Sequence, residues 1–237
     1  MKKLLSILLT LSFTLVLYAQ SKETKFFGSS MMISIPNTNF AMLSTEVTQK
    51  QYMAVMGENP SKFKGNNKPV ENVSWYDAIY FCNKLSELFG YTPVYAVDGN
   101  TDASWWNYNP HQEEEINGTI MQDSNANGFR LPTDKEWEYA AKGGQNYEYA
   151  GSDDYDEIGW GSENSNKRTH FVAQKKPNGY GLYDMCGNVF EWVWGSDDLR
   201  WAYSYGGSWY NSGSFACDMA CSRNDTGGFR IVRTVKQ

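Results

Sequence analysis

Histidine is almost missing from this chain: His111 and His170 are the only two in 237 residues. That count excludes a multi-histidine metal centre, and neither residue sits in a motif that would poise it for a serine triad. Basic charge is also short, with 21 Lys and Arg against 27 Asp and Glu. Nucleic-acid binding needs a clustered basic footprint, so that class is excluded as well. Glycine loops of the phosphate-cradling kind are absent. There is no tandem repeat, proline-rich linker or low-complexity tract. Only one long apolar run exists, from Leu4 to Leu17.

That run follows Lys2 and Lys3 and precedes the small residue Ala19, the pattern of a secretory signal peptide over residues 1–19. It falls short of the ~20 apolar residues that span a bilayer. No other stretch approaches that length, so no transmembrane segment is expected after cleavage. The mature chain is expected to be exported to the periplasm, the cell surface or the medium. Residues 20–237 suit one large domain. Four cysteines in an exported chain permit disulfides, with three full pairings open. Cys82, however, falls on an apolar helical stripe and reads as a small core residue.

What the chain has in abundance is aromatic: 16 Tyr and 9 Trp. Met31–Ile35 and Phe40–Val47 flank Pro36-Asn37-Thr38-Asn39, a hairpin signal. Thr48 caps a helix through Met56. Ser74 with Asp77 opens a second helix whose stripe is Trp75, Ala78, Ile79, Cys82, Leu85 and Phe89, and Gly90 stops it. Thr133 with Glu136 opens a third, from Asp134 to about Lys142. Tyr91–Ala96 and Thr119–Met121 form a candidate hairpin. The three glutamates Glu113 to Glu115 between them read as a solvated loop, because adjacent carboxylates without a turn are not a calcium loop. Later residues read mostly as loop, with strands expected over Phe190–Trp194 and Phe229–Val235.

Five ordered blocks carry a resemblance. They are Glu46-Val47-Thr48 with Gln51-Tyr52, Pro69 to Ala78, Phe129 to Ala141, Tyr180 to Trp192, and Gly206-Gly207-Ser208-Trp209 followed by Gly228-Phe229-Arg230. Together they resemble the formylglycine-generating enzyme family, also called the sulfatase-modifying factor family. The resemblance implies an α+β fold, a variant of the C-type lectin fold with long loops and little regular secondary structure. It also implies a Ca²⁺ site with Asp184 and Glu191 as side-chain ligands and main-chain carbonyls from Gly187 and Val189. A hard cation wants such a set of oxygens. The alternative is that Glu191 pairs with a buried arginine such as Arg230 and the loop needs no ion.

Family enzymes hold Cu⁺ between two cysteines, three and eight residues after the serine of Gly-Gly-Ser. Counted from Ser208, those positions are Asn211 and Ala216. Soft Cu⁺ prefers thiolates, so copper is not expected. Cys217 misses the second position by one residue, which turns a strand side chain to the opposite face. Phe190 is a further departure, standing where the family has tryptophan.

The segment 197–226 has the composition of binding loops, stiff aromatics among small polar groups. It also resembles the variable region of lectin-fold proteins diversified by retroelements. The contact residues implied are Trp201, Tyr203, Tyr205, Ser208, Trp209, Tyr210, Asn211, Ser212, Ser214, Phe215 and Asp218. The expected function is non-catalytic capture of a protein or glycan ligand through a groove lined by the Trp201 to Asp218 region. Two other readings stay open: a copper-dependent oxidase of a peptide cysteine, and a structural accessory domain of an envelope complex.

Overall fold

The computed structural model describes residues 22–112, 115–195, 200–212 and 215–235. The proposed signal peptide, Glu113, Glu114 and Ser214 lie outside the described residues.

The hairpin expected at Pro36–Asn39 forms between β1 (Met32–Ser34) and β2 (Phe40–Leu43), with Met32 opposite Leu43. Asn37 takes the left-handed conformation at φ 61, and the Thr38 hydroxyl donates to Ile35 O at 2.8 Å. Asparagine tolerates that conformation where branched residues do not. After a short helix α1 over residues 22–27, the three predicted helices follow as α2 (Gln49–Met56), α3 (Trp75–Phe89) and α4 (Asp134–Lys142). Each opens on a reciprocal capping box and closes on a left-handed glycine: Thr48/Gln51 with Gly57, Ser74/Asp77 with Gly90, Thr133/Glu136 with Gly143. The boxes satisfy amide donors that a helix start otherwise leaves orphaned.

β3 (Tyr95–Val97) pairs with β4 (Ile120–Gln122), starting four residues and one residue later than the expected strands. β5 (Phe129–Arg130) leads into α4, and Glu136 receives both guanidinium ends of Arg130 at 2.6 and 2.7 Å. A single helical turn, α5 (Tyr155–Ile158), precedes β6 (Phe190–Trp192). The C-terminal stretch corrects the loop expectation. It contains the hairpin β7 (Trp201–Tyr205) and β8 (Phe215–Met219), then β9 (Gly227–Gly228) and β10 (Val232–Thr234). The last strand is therefore shorter than Phe229–Val235, because Phe229 to Ile231 leave the ladder to fill the core.

Beside the two-stranded β3-β4 sheet, the described residues form two four-stranded sheets, one running β1-β2-β10-β5 and the other β8-β7-β6-β9. β10 pairs with both β2 and β5, so the two ends of the described chain share a sheet. The main core lies around α3: Trp75, Ala78, Ile79, Cys82, Leu85 and Phe89 are all buried, as the stripe requires. Each large aliphatic side chain there contributes about 2 kcal/mol. A second, smaller core joins Phe40, Met42, Trp137, Leu182, Met185 and Val232. The β7 strand separates the two: Ala202 belongs to the first, while Tyr203 and Tyr205 pack on the second.

Candidate functional site: the aromatic C-terminal surface and its cleft

The Gly206-Gly207-Ser208-Trp209 run is a turn with both glycines at positive φ, 96 and 79. Gly206 also lies under the Trp137 indole, where an added Cβ would come within 3.1 Å. Two of the expected contact residues prove to be internal. Ser208 is fully buried, its hydroxyl accepting the amides of Tyr210 and Asn211, both at 3.3 Å. Trp209 is 8% exposed; its indole N–H donates to Asp225 O at 2.7 Å and its ring meets Phe63 edge-on. A buried indole must find an acceptor, and these partners make Trp209 a structural pin instead of a contact.

The surface belongs to others. Trp201 is 47% exposed and Tyr210 69%, with Asn211 and Ser212 exposed beside Tyr210. Tyr203 and Tyr205 are half-buried, and Tyr205 lies 5.3 Å from Trp137 between ring centroids. Asp218 is half-buried and accepts from the Ser222 hydroxyl at 2.7 Å. Phe215 contributes backbone to β8.

The β8 register decides what Cys217 can do. Ala216 stands opposite Ser204 and Cys217 opposite Tyr203, so the two neighbours point to opposite faces of the sheet. The two positions matching the family's copper thiolates carry an amide and a methyl group, and the adjacent thiol faces away. All four cysteines are free. Cys82 is wholly buried, and that burial pushes its thiol well above the usual range. Cys186 is pushed up to about 11, mainly by burial. Neither is a thiolate near neutral pH.

Beneath this surface lies a buried charge cluster. Arg230, with no exposed area, grips Glu191 through Nε and Nη2, both at 2.7 Å, and donates to Leu43 O and Tyr183 O. The indole N–H of Trp137 adds a third donor to Glu191 at 2.6 Å. Asp184 accepts from Ala173 N–H through Oδ2, while its Oδ1 and both oxygens of Glu46 are buried without a partner. Burial raises the pKa of Glu46 well above the usual carboxylate range, reinforced by Asp184 and Glu191. Asp184 is pushed up to about 6, mainly by burial. The resident Ca²⁺ implied by the resemblance does not fit this arrangement: the Glu191 carboxylate is taken by a guanidinium and an indole, leaving Asp184 as the sole side-chain donor of the expected set. Among the described residues no group of three or more His, Cys, Asp and Glu forms a metal cage.

A cleft of ≈ 570 Å³ opens where the Gly206 and Ser212 turn meets α4 and the following loop. Its walls include Trp137, Lys142, Tyr147, Tyr149, Tyr155 and Cys186. That volume suits a small ligand or a ligand side chain. Of the expected contact residues only Ser212 lines it. Tyr147, Tyr149 and Tyr155 on its wall lie in the stretch after α4 read as loop, where the run Tyr147-Glu148-Tyr149 is the available signal, whereas Trp137 and Lys142 come from α4 and Cys186 from the segment before β6.

The fold is the formylglycine-generating-enzyme type of C-type-lectin-like α+β scaffold. Residues 18–235 match the sulfatase-modifying factor enzyme 1-like domain, and the chain belongs to that family. It is 41% identical over 201 residues to the chaperone protein LppX of Paenibacillus barcinonensis, spanning 74% of this chain and 71% of that protein. It is also 39% identical to the formylglycine-generating enzyme of Mycobacterium tuberculosis over 80 residues, 28% of this chain and 27% of that enzyme. Treponema denticola variable protein 1 superposes with a TM-score of 0.75 at 33% identity, covering 86% of this chain and 92% of that one. CarF superposes at 0.69 with 29% identity, covering 87% and 94%.

Proposed function

We propose that this chain is an exported, non-catalytic member of its family that captures a protein or glycan ligand. The contact surface is formed by Trp201, Tyr210, Asn211 and Ser212 beside the ≈ 570 Å³ cleft. The observation that carries the reading is the β8 register. Asn211 and Ala216 occupy the thiolate positions, and Cys217, one residue on, is turned to the other face of the sheet. Without two soft donors the scaffold keeps its cleft and loses its redox metal. Stiff exposed aromatics with small polar neighbours supply contact area at low entropic cost. The chaperone name of the Paenibacillus barcinonensis relative is in keeping with a binding role. Export rests on the amino-terminal apolar run; among the described residues no helix is long and apolar enough to cross a membrane.

Two measurements test this. A Cu⁺ competition titration, with O₂ uptake followed on a cysteine-containing peptide, is expected to give neither stoichiometric binding nor turnover. Stoichiometric copper binding lost on Cys217→Ser, accompanied by O₂ consumption, overturns the reading. Screening glycan and peptide arrays with the wild-type protein and with Trp201→Ala/Tyr210→Ala is expected to yield a ligand that the double variant fails to hold.

A further inference from the structure

We propose that a second cleft, between the loop carrying Lys68 and the stretch 160–175, is a binding site for an oxyanion-bearing ligand: a carboxylate, sulfate or phosphate group. This cleft, ≈ 320 Å³, shares no wall residue with the one beside Gly206. Lys68, Arg168, Thr169, His170 and Phe171 line it, together with Trp160.

Four features converge there. The first is charge: in a chain of net charge −6, this cleft gathers Lys68 and Arg168, while Lys175, outside the lining and donating to Asp156 O, lies 4.2 Å from the Trp160 ring centroid. No carboxylate pairs with Arg168 or Lys68 among the described residues. The nearest acid acting on Lys68, Glu71, is engaged by the Phe63 amide at 2.7 Å and the Asn72 amide at 2.9 Å. The second is hydrogen-bonding capacity. Thr169 is 1% exposed and its hydroxyl has no partner, and neither has the indole N–H of Trp160. Buried polar groups are normally satisfied, so an unpaired hydroxyl and an unpaired indole N–H, both just beneath the surface of residues that line one cationic cleft, are unused hydrogen-bonding capacity for an acceptor that displaces the covering atoms. The third is rigidity. The His170 ring stacks on Trp160 at 3.8 Å with 10° between planes, and its Nε2 is held by Ser165 O at 2.7 Å. Val172 N–H donates to Asn67 O at 2.9 Å, tying the two walls together. The fourth is electrostatic strain in the free cleft. Lys68 and His170 are both shifted toward their neutral forms, by burial first and then by the surrounding cations. A bound anion would offset that repulsion. Phe171, half exposed at the rim, offers an apolar body against which the rest of the ligand can lie.

The test uses the mature protein and three inorganic or simple probes: sulfate, phosphate and acetate, with sodium chloride holding ionic strength constant. The Trp160 indole N–H resonance, assigned with Trp160→Phe, is expected to shift saturably with at least one oxyanion and not with chloride. With only two histidines in the chain, the His170 ring titration is also resolvable, and its midpoint is expected to rise when the oxyanion is present. Response to sulfate and phosphate alone assigns a tetrahedral group; response to acetate as well assigns a carboxylate. Removing each cation, Arg168→Ala or Lys68→Ala, should weaken binding about tenfold or more, with the rest of the spectrum unchanged. A non-saturating shift, an equal response to chloride, or an Arg168→Ala/Lys68→Ala variant that binds like the wild type overturns the proposal.

Discussion

Replacing Arg230 by methionine removes the one guanidinium that faces three buried carboxylates, Glu46, Asp184 and Glu191. Methionine fills much of the volume and carries no donor. Glu191 then loses two hydrogen bonds of 2.7 Å and keeps only the Trp137 indole. Breaking a buried pair by removing one partner costs about 3–5 kcal/mol, because the remaining charge is stranded. Two carbonyls, Leu43 O and Tyr183 O, lose their donor as well, at about 1 kcal/mol or more each. The sum is comparable with the whole stability of an average domain, about 5–15 kcal/mol. The two parts separate by pH. Stranded carboxylates bind protons more readily in the folded variant, so their share shrinks on acidification, whereas the carbonyl share does not. Urea denaturation at pH 7.5 and pH 5 should therefore give a large deficit at the higher pH and a smaller one at the lower. Arg230→Met/Glu191→Gln should regain about 2 kcal/mol or more at pH 7.5. If Arg230→Met stays within about 1 kcal/mol of wild type at pH 7.5, or shows equal deficits at the two pH values, the buried-pair argument is wrong.

Asp184 carries a folded pKa raised to about 6, so the folded state holds its proton where the unfolded chain has lost it. Its contribution is present below about pH 4 and lost as pH rises through 6, on the order of 3 kcal/mol; denaturation of the wild type and Asp184→Asn across that range should show a shallower slope in the variant, where Glu46 still titrates. Gly187→Ala places a Cβ 2.2 Å from Trp160 O at φ 80, whereas Gly181→Ala, at φ 83, meets nothing within 4 Å. Thermal unfolding should show about 1 kcal/mol of backbone cost for Gly181→Ala and about 3 kcal/mol or more for Gly187→Ala; equal losses would contradict the close approach. A thiol reagent applied to the native protein should label exposed Cys217 within minutes and reach Cys82 only on unfolding, since the latter is wholly buried and its thiol stays protonated. Rapid native labelling of Cys82 would mean that α3 opens locally.

The helices were readable because their signals are local. Each capping box is two residues three apart, and each stop is one glycine. The β1–β2 hairpin was readable for the same reason. The β7–β8 hairpin escaped a reading by composition, although Trp201-Ala202-Tyr203-Ser204-Tyr205 alternates large and small with the strand period. Its aromatics alternate because Ala202 and Ser204 must fit between the sheet and the main core. The Arg230–Glu191 pair was open as an alternative, but Glu46 and Asp184 join it from distant parts of the chain, and no spacing announces that. Composition alone makes Trp209 a contact; only its packing against Phe63 and its bond to Asp225 O reveal the pin. The first cleft joins the Gly206 and Ser212 turn to α4 and the loop after it, and the second joins Lys68 to residues 160–174, contacts that no single segment announces.

Arg223, near the end of the aromatic-rich segment 197–226, and Arg230, just beyond it, both anchor the chain, and this separates what the fold needs from what the surface offers. Arg223 reaches Asp77 of α3 at 2.7 Å, and Tyr108 closes the same cluster by donating to Asp77 at 2.7 Å. Burial works against ionisation of Asp77, but the facing His111 and Arg223 outweigh it and hold its carboxyl far below the usual range. That contribution is present above about pH 4 and disappears as acid titrates the group. Arg230 makes the corresponding anchor on β6. By contrast, Trp201, Tyr210 and Met219 present 47%, 69% and 49% of their surface to solvent. Surface positions away from buried networks usually change stability by about 0.5 kcal/mol or less, so Trp201→Ser/Tyr210→Ser/Met219→Ser together should cost about 1–2 kcal/mol. Asp77→Asn alone, which leaves Arg223 without its anion, should cost about 3 kcal/mol at neutral pH. Denaturant titrations of the two variants side by side decide the matter. If three exposed substitutions destabilise the protein more than the single buried one, the aromatic surface belongs to the scaffold and is not available for recognition.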